Sequence, residues 1–152
     1  MPDTAPAKPL MVIGPVGAGK STLLHALNLG SGEVKKTEAL TYLDQAIDTP
    51  GEMLTMPRFY NALILNSVRS RLVLFLMDGS RPIRLPARLA LALKAPVVGV
   101  VTKIDVAQTE ARQKAAAALE CAGVKEIFEI SSLTGEGIEE LNAWISGVGK
   151  AN

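Results

Sequence analysis

Residues 14–22 read GPVGAGKST, which matches the phosphate-binding loop pattern of a glycine, four free positions, then Gly-Lys and a serine or threonine. The glycines let the backbone pass close to a polyphosphate with its N–H groups turned inward. Lys20 adds a positive charge for the β- and γ-phosphates, and Ser21 offers a hydroxyl to Mg²⁺. The residues of this loop predicted to bind nucleotide are Gly14, Val16, Gly17, Ala18, Gly19, Lys20, Ser21 and Thr22.

The sequence on either side of this loop has the pattern that a phosphate-binding loop needs. Residues 10–13 (LMVI) are typical of a short buried strand, and residues 20–29 are typical of a helix with leucines on its inner side. A helix that begins at Lys20 would direct unpaired N–H groups and its positive dipole end towards the same anion. The alternative is a glycine-rich turn without a ligand, which would leave Lys20 without a role.

Length and composition indicate a single domain. With 152 residues the chain is long enough to bury a core without disulfides, and its net charge of +1 argues against general nucleic-acid binding. The longest apolar runs, residues 72–77 and 95–101, fall short of the roughly 20 residues that span a bilayer. We expect a proline-rich disordered tail over residues 1–9, one nucleotide-binding domain over residues 10–150, and a cytoplasmic location.

Predicted strands and helices alternate along the chain, which indicates an α/β fold of three layers. We expect a mostly parallel six-stranded sheet with one antiparallel strand, covered by about five helices on both faces. The predicted strands are residues 10–13, 39–43, 46–47, 72–77, 97–101 and 127–130, with a polar loop at 30–36. The predicted helices are residues 20–29, 58–68, a helix begun by Pro86 with Leu85, Leu89 and Leu93 on one face, 109–122 and 138–145. The one cysteine, Cys121, is predicted to be buried in the fourth of these helices.

Loops that follow the strands carry further candidate residues, because ligands of an open α/β sheet bind at the carboxyl ends of its strands. Asp48 follows a strand and precedes Gly51, the arrangement by which phosphate-loop enzymes hold Mg²⁺ and offer a backbone N–H to the γ-phosphate. Thr37 lies in the loop before the second strand, where its hydroxyl and carbonyl would complete the Mg²⁺ shell. The predicted Mg²⁺ ligands are Ser21, Thr37 and Asp48.

Two later stretches carry a base-recognition pattern. Residues 102–105 (TKID) resemble the guanine motif of GTPases, in which the lysine stem covers the base and the aspartate accepts from N1–H and the 2-amino group. Residues 131–133 (SSL) stand where those proteins usually have Ser-Ala-Lys, with the second N–H aimed at the guanine O6. Thr102 in place of asparagine and Leu133 in place of lysine predict modest rather than extreme selection of guanine. The predicted base-binding residues are Lys103, Asp105, Ser131, Ser132 and Leu133.

With these loops in order, residues 10–148 resemble a small Ras-like GTPase. A closer resemblance is to the ethanolamine- and propanediol-utilisation GTPases, the EutP/PduV type, on residues 47–52 (IDTPGE), 57–64 (PRFYNALI) and 84–87 (RLPA). It implies a cytoplasmic protein that works with a bacterial microcompartment degrading a small organic substrate, with a shell protein or an activating protein as partner. It also implies GTP or GDP with Mg²⁺ as ligands, ATP being an alternative.

Glu52 occupies the place at which many GTPases carry a water-orienting glutamine. A carboxylate there would repel the γ-phosphate, so we expect slow intrinsic hydrolysis, with the missing stabilisation supplied by Arg58 or by an arginine of a partner. The predicted catalytic residues are Lys20, Thr37, Gly51 and Glu52.

These observations favour a slow Mg²⁺-dependent GTPase whose loops around Thr37 and residues 48–56 change order with the γ-phosphate. Two other classes remain open. One is a phosphotransferase that passes phosphate from ATP or GTP to a small acceptor such as acetate. The other is a docking module that binds nucleotide without turnover. Nucleotide preference and product analysis would separate them.

Overall fold

Strands and helices alternate in the structure, a computed structural model that describes residues 8–27, 35–36, 41–42, 46–54 and 56–150. The strands are β1 (Leu10–Ile13), β2 (Lys35–Lys36), β3 (Thr41–Tyr42), β4 (Ala46–Asp48), β5 (Leu72–Asp78), β6 (Val97–Thr102) and β7 (Glu126–Glu129). The α-helices are α1 (Lys20–Ala26), α2 (Tyr60–Val68), α3 (Leu89–Ala92), α4 (Thr109–Cys121) and α5 (Ile138–Lys150). Two short 3₁₀ helices, Gly51–Leu54 and Pro57–Phe59, precede α2.

The described strands form one sheet in the order β2-β3-β4-β1-β5-β6-β7. β1 pairs in parallel with β4 and β5, so that Leu10 lies opposite both Ala46 and Leu72. β6 continues the parallel pairing from β5 to β7, while β3 is antiparallel to both β2 and β4. The carboxyl ends of β4, β1, β5, β6 and β7 therefore share one edge of the sheet, where their loops meet.

The central strand β5 shows why the sheet is covered on both faces. All seven of its residues are buried, and alternate side chains of a strand point to opposite faces. Val73, Phe75 and Met77 belong to one apolar cluster, which α2, α3 and α4 complete, whereas Leu72, Leu74 and Leu76 belong to a second cluster completed by α1 and α5. The predicted three-layer α/β class is confirmed.

The strand count differs from the prediction, since seven strands are found among the described residues instead of six. The added strand is β2, within the stretch predicted to be a polar loop, and it pairs Lys35 with Tyr42 and Lys36 with Thr41. A two-residue edge strand needs only backbone hydrogen bonds, and lysine is common at sheet edges, so no apolar pattern marks it. The single antiparallel strand, β3, is as predicted.

Helix α3 is shorter than predicted, covering only Leu89–Ala92. Arg88 adopts a left-handed conformation with φ of 62°, and its N–H donates to the Cys121 carbonyl at 3.0 Å. The N–H of Ala90 donates to the Ala122 carbonyl at 2.8 Å. The end of α4 thus takes the hydrogen bonds that a longer α3 would need. Leu85, Leu89 and Leu93 are still buried, so their spacing indicated burial correctly and helix only in part.

Smaller differences concern the ends of elements. β7 begins and ends one residue earlier than predicted, and α5 runs on to Lys150.

Cys121 is exposed, contrary to the prediction, because Ala115, Leu119 and Ala122 form the buried side of this part of the chain and Cys121 does not lie on that side. Of the predicted tail, residues 1–7 lie outside the described residues. No helix in the described ranges is long and apolar enough to cross a membrane.

Candidate functional site

The loop between β1 and α1 lies at the carboxyl edge of the sheet, between the loops that follow β4 and β5. Gly17 and Gly19 have positive φ values of 83° and 91°, a conformation that residues with a Cβ rarely adopt. The N–H of Ala18 donates to the Pro15 carbonyl at 3.1 Å, which closes the turn. The glycine pattern of the sequence is therefore required by the backbone that the loop adopts.

Lys20 folds back over this loop. Its Nζ donates to the carbonyls of Gly14 at 2.9 Å and Pro15 at 3.1 Å. Burial lowers the pKa of Lys20 below its usual range, although the carboxylates of Asp48 and Glu52 oppose the shift. An ammonium held by two neutral carbonyls in a partly buried site would gain from an anion placed in the loop.

Asp48, at the end of β4, faces Ser21 at the start of α1. The Ser21 hydroxyl donates to Asp48 Oδ2 at 3.2 Å, while Asp48 Oδ1 is buried without a hydrogen-bond partner among the described residues. Burial raises the pKa of Asp48, and the Ser21 hydrogen bond and the Lys20 charge oppose that shift.

A hydroxyl and a carboxylate oxygen are hard donors that suit Mg²⁺, which usually takes one or two carboxylates and completes its shell with water and phosphate oxygens. In the described ranges no three His, Cys, Asp or Glu side chains cluster as a metal site. The residues present thus fit a cation that brings other oxygen ligands with it.

The loop after β4 packs directly on the phosphate-binding loop. A side chain at position 51 would collide with the backbone of Pro15 and Val16, so the approach requires Gly51. Thr49, which the sequence reasoning missed, fixes this loop: its hydroxyl donates to the Val12 carbonyl at 2.8 Å. Glu52 is exposed and follows Gly51 on the 3₁₀ helix. Thr37 lies outside the described residues, so its predicted position stays a prediction.

On the α1 side of the loop lies a pocket of about 300 Å³, which we call the Asp105 pocket. Most of the residues predicted to recognise a base meet there. Its lining residues are Gly19, Thr22, Thr102, Lys103, Asp105, Val106, Ser132 and Leu133. Ser131 is absent from that lining. It is fully buried, and its hydroxyl donates to Asp105 Oδ1 at 2.8 Å, so it orients the carboxylate from behind.

Thr102 and Lys103 tie the loop after β6 to the phosphate-binding loop. The Thr102 hydroxyl lies 2.7 Å from the Ala18 carbonyl and 3.3 Å from the Met77 carbonyl. Lys103, with a left-handed φ of 60°, donates from Nζ to the Gly17 carbonyl at 2.7 Å. The threonine that stands in place of asparagine therefore still anchors the loop.

Asp78, at the end of β5, holds Lys103 in this position. Its Oδ2 lies 3.0 Å from Lys103 Nζ, and its Oδ1 accepts from the N–H and the hydroxyl of Ser80 at 2.8 and 2.6 Å. Burial favours the neutral acid, but the Ser80 hydrogen bonds and the Lys103 contact outweigh it and keep the pKa of Asp78 below its usual range. Asp78 is not among the site residues predicted from the sequence. An acid directly after a run of six apolar residues was the available signal.

A second and larger cavity, of about 590 Å³, lies over the first half of the phosphate-binding loop, and we call it the Arg81 cavity. It shares Lys103 and Val106 with the Asp105 pocket. The residues that line it are Pro15, Val16, Gly17, Gly51, Glu52, Met77, Asp78, Ser80, Arg81, Ile83, Lys103 and Val106. Arg58 is not among them. Its guanidinium lies 4.9 Å from the centre of the Phe59 ring.

A mostly parallel α/β sheet with this loop between β1 and α1, with Asp48 at the end of β4 and Asp105 after β6, defines a Ras-like P-loop protein. The chain belongs to the ethanolamine utilisation and propanediol utilisation family, whose sequence profile matches residues 7–147.

Individual relatives agree with that membership. The probable acetate kinase EutP of Escherichia coli K12 is 30% identical over 146 residues, covering 94% of this chain and 92% of its own. The propanediol utilization protein PduV of Citrobacter freundii is 28% identical over 135 residues, covering 88% and 90%. Among solved structures, a probable GTP-binding protein engB matches with a TM-score of 0.66 at 19% identity, covering 95% of this chain and 99% of that one. The structural match supports the fold.

Proposed function

We propose that this protein is a Mg²⁺-dependent P-loop nucleotide-binding protein that prefers GTP and hydrolyses it slowly. The observation that carries the proposal is the grouping of Lys20, Ser21 and Asp48 around a glycine loop, with one Asp48 oxygen buried and unsatisfied among the described residues. The backbone of residues 14–20 binds the phosphates, and Lys20 exchanges the Gly14 and Pro15 carbonyls for phosphate oxygens. The domain proposed for this activity is residues 10–150.

Ser21 and Asp48 would hold Mg²⁺, with Thr37 as a further predicted ligand. Bound there, the ion would supply positive charge that offsets the negative charge developing during phosphoryl transfer. Gly51 packs against the backbone of Pro15 and Val16 in the phosphate-binding loop. We propose that it offers its N–H to the γ-phosphate.

Base choice rests on the Asp105 pocket. The Asp105 carboxylate accepts from the N1–H and 2-amino groups of guanine, the stem of Lys103 covers the ring, and the N–H of Ser132 reaches O6. The support is that Lys103, Asp105 and Ser132 line one pocket, and that the Ser131 hydroxyl fixes the Asp105 carboxylate. The pocket adjoins Gly19 and Thr22, at the end of the phosphate-binding loop.

Titration calorimetry with GTP, GDP and ATP in the presence of Mg²⁺, together with phosphate-release assays, tests this proposal. We expect GTP and GDP to bind at least about tenfold more tightly than ATP, which corresponds to about 1.4 kcal/mol. Phosphate release should be no faster than roughly 10⁻⁴ to 10⁻² s⁻¹, the range of GTPases without an activating partner. Binding without any phosphate release, even with a partner present, would instead identify the docking module.

Replacing Asp48 with asparagine is expected to stabilise the nucleotide-free protein and to weaken its response to Mg²⁺. The pKa of Asp48 is raised on folding, so the ionised carboxylate opposes folding, and the stability of the wild type should fall as pH rises through the pKa of the folded state. Asp48→Asn removes that cost, so its melting temperature without nucleotide should exceed that of the wild type, and the difference should be larger above the pKa of the folded state than below it.

Differential scanning calorimetry from pH 4 to 8 measures this stability, and Glu139→Gln on the exposed face of α5 is the control. Asp48→Asn should also lose most of the stabilisation that Mg²⁺ with GTP gives the wild type, whereas Glu139→Gln should keep it. Equal stabilisation of both proteins by Mg²⁺ with GTP would show that Asp48 does not support the metal.

Replacing Glu52 with glutamine is expected to raise the rate of GTP hydrolysis rather than lower it. A carboxylate beside the γ-phosphate repels it, so Glu52→Gln should raise single-turnover hydrolysis by about tenfold, equivalent to about 1.4 kcal/mol of relieved repulsion. Stopped-flow phosphate release with GTP measures the rate. A collapse of the rate in Glu52→Gln would make Glu52 a working base and would overturn this role.

The loop after β4 should respond to the γ-phosphate at specific amides. Gly51 lies against Val16, whereas Met53 and Leu54 are buried in the core. We expect slower hydrogen exchange at Gly51 and Glu52 with a GTP analogue than with GDP, and no difference at Met53 and Leu54. Exchange that is identical in both states across residues 48–54 would favour the docking module.

The family description names ethanolamine and propanediol utilisation. We propose a cytoplasmic protein that contacts a shell protein or an activating protein at a microcompartment in which such a substrate is degraded. A fluorescent fusion of the chain should form foci only in cells that assemble such compartments. Diffuse fluorescence in those cells would contradict the association.

A second candidate is phosphoryl transfer to a small carboxylate. It is favoured by the Arg81 cavity beside Val16 and Gly51, and by the name of the Escherichia coli relative. A carboxylate oxygen would bond to the γ-phosphorus while the bond to the β–γ bridging oxygen breaks, so the electron pair leaves with the nucleoside diphosphate. Trapping the acyl phosphate with hydroxylamine tests it, and nucleotide consumption that yields only inorganic phosphate would exclude it.

A further inference from the structure

Arg81 carries a charge that no acidic side chain of the described residues balances. Its guanidinium has no hydrogen bond or ion pair in that part of the chain, and only its backbone N–H is engaged, with the Asp78 carbonyl at 3.3 Å. The other charges of the Arg81 cavity are matched, since Lys103 pairs with Asp78 and Glu52 interacts with Lys20. A guanidinium left over at a cavity wall can bind a carboxylate through two parallel hydrogen bonds.

The remainder of that cavity wall is largely apolar and accessible. Val16, Ile83 and Val106 line it and are 70%, 45% and 66% exposed. Exposed apolar side chains gathered around one cavity favour a ligand with an apolar part over an inorganic ion. The volume of about 590 Å³ equals that of about 20 water molecules in the liquid, far more than a two-carbon acid fills.

We propose that the Arg81 cavity binds an alkyl monocarboxylate, with the carboxylate on the Arg81 guanidinium and the alkyl chain against Ile83 and Val106. Because several apolar side chains line the cavity, acids with several carbons can bury more apolar surface there than acetate can, and they bind more tightly. The site lies beside Val16 and Gly51, and therefore next to the place proposed above for the γ-phosphate.

This inference specifies the acceptor site of the second candidate function, phosphoryl transfer to a carboxylate. It rests on the nucleotide proposal only for the position of the γ-phosphate next to the Arg81 cavity. Carboxylate binding is measured without nucleotide, and nucleotide affinity is measured without carboxylate. The two ideas therefore fail in different experiments.

The test is a titration of the full chain, labelled at isoleucine and valine methyl groups, with acetate, butyrate, hexanoate and inorganic phosphate. Methyl resonances of Ile83 and Val106 are expected to shift with the carboxylates. Affinity is expected to rise about fourfold for each CH₂ that becomes buried. Inorganic phosphate should shift these methyl groups little.

Variants in one loop provide a matched comparison. Arg81→Ala should weaken hexanoate binding by at least about tenfold, the loss expected for a charge-assisted hydrogen bond, and Arg81→Lys should lie between it and the wild type. Arg84→Ala removes an exposed arginine three residues along that does not line the cavity, and it should bind hexanoate normally. Affinity for GDP should be unchanged in Arg81→Ala.

Three results would overturn the proposal. One is an equal response to all four anions without a trend in chain length. Another is an equal loss in Arg81→Ala and Arg84→Ala, which would indicate general charge screening. The third is a parallel loss of GDP affinity in Arg81→Ala, which would place Arg81 in the nucleotide site. Carboxylate binding with the expected trend in a protein that fails to bind GTP would support this inference and contradict the nucleotide proposal.

Discussion

Lys20→Ala is expected to weaken binding of GTP by about 2–5 kcal/mol, or about 30-fold to several thousand-fold, by analogy with truncation of one member of a buried charge pair. In the structure the Lys20 ammonium rests on the Gly14 and Pro15 carbonyls and is partly desolvated. A phosphate in the loop supplies a full negative charge where only carbonyl dipoles are present now. Calorimetry with GTP and Mg²⁺ measures the loss.

Two controls separate the loss of a phosphate contact from damage to the loop. Lys125→Ala removes a lysine from an exposed site before β7 and should bind GTP normally. GMP lacks the β- and γ-phosphates, so its weak binding should be nearly the same in Lys20→Ala and in the wild type. An unchanged affinity for GTP in Lys20→Ala would contradict the phosphate-loop assignment, and an equal loss for GMP would show that the loop had collapsed.

The parts of the fold that the sequence predicts well are those in which one local pattern determines the structure. The glycines at 17 and 19 have positive φ values that few other residues tolerate, so their spacing predicts the loop itself. The apolar run 72–77 can satisfy both of its faces only between two layers of helices, which predicts a central strand. Both features are local consequences of residue type.

The parts that could not be predicted depend on neighbours that are distant in sequence. Helix α3 is limited by backbone hydrogen bonds from Arg88 and Ala90 to the end of α4, and nothing in residues 85–93 signals those partners. The Asp78 contact with Lys103 exists because β5 and β6 are adjacent and end level with each other, at Asp78 and Thr102. Strand order must be known before such pairs can be identified.

Ser131 shows how the same limit affects a candidate site. The sequence placed it among the residues that contact a base, on the basis of a three-residue pattern. The structure places its side chain behind Asp105: the Ser131 N–H donates to the Glu136 carbonyl at 2.9 Å, and the hydroxyl donates to Asp105 Oδ1. A sequence motif identifies residues that act together. It does not tell a residue that contacts the ligand from one that positions a contacting residue, because that difference appears only in the three-dimensional structure.

Asp105→Asn is expected to move base preference from guanine to xanthine. The Ser131 hydroxyl donates to Asp105 Oδ1, and it can donate in the same way to the amide oxygen of an asparagine. The amide nitrogen would then take the place of Oδ2. It can donate to the 2-carbonyl of xanthine, and it cannot accept the two guanine donors. Affinity for GTP should fall by at least about tenfold, and xanthosine triphosphate should become the preferred ligand.

The position of the Asp105 carboxylate also predicts that the wild type prefers GTP to ATP. Adenine presents a lone pair at N1 and no 2-amino group, so the Asp105 carboxylate would lose its partners, at a cost of about 1–3 kcal/mol. Asp105 is exposed, and Thr102 and Leu133 depart from the usual guanine pattern. We therefore expect the affinity for GTP to exceed the affinity for ATP by tens of fold rather than by thousands of fold. Ser131→Ala is the matched variant for Asp105→Asn. It keeps the Asp105 carboxylate but removes the hydroxyl that donates to Oδ1 and orients it. The ratio of GTP to ATP affinity should fall in it without a gain for xanthosine triphosphate.

Calorimetry with the four triphosphates GTP, ATP, xanthosine triphosphate and inosine triphosphate resolves these contacts individually. Inosine keeps N1–H and lacks the 2-amino group, so its affinity for the wild type should lie between those of GTP and ATP. Binding of ATP as tight as that of GTP, with no change in Asp105→Asn, would mean that the Asp105 pocket does not select a base. The phosphotransferase would then become the better explanation, because phosphoryl transfer to a carboxylate in the Arg81 cavity requires the phosphate-binding loop and places no demand on the base.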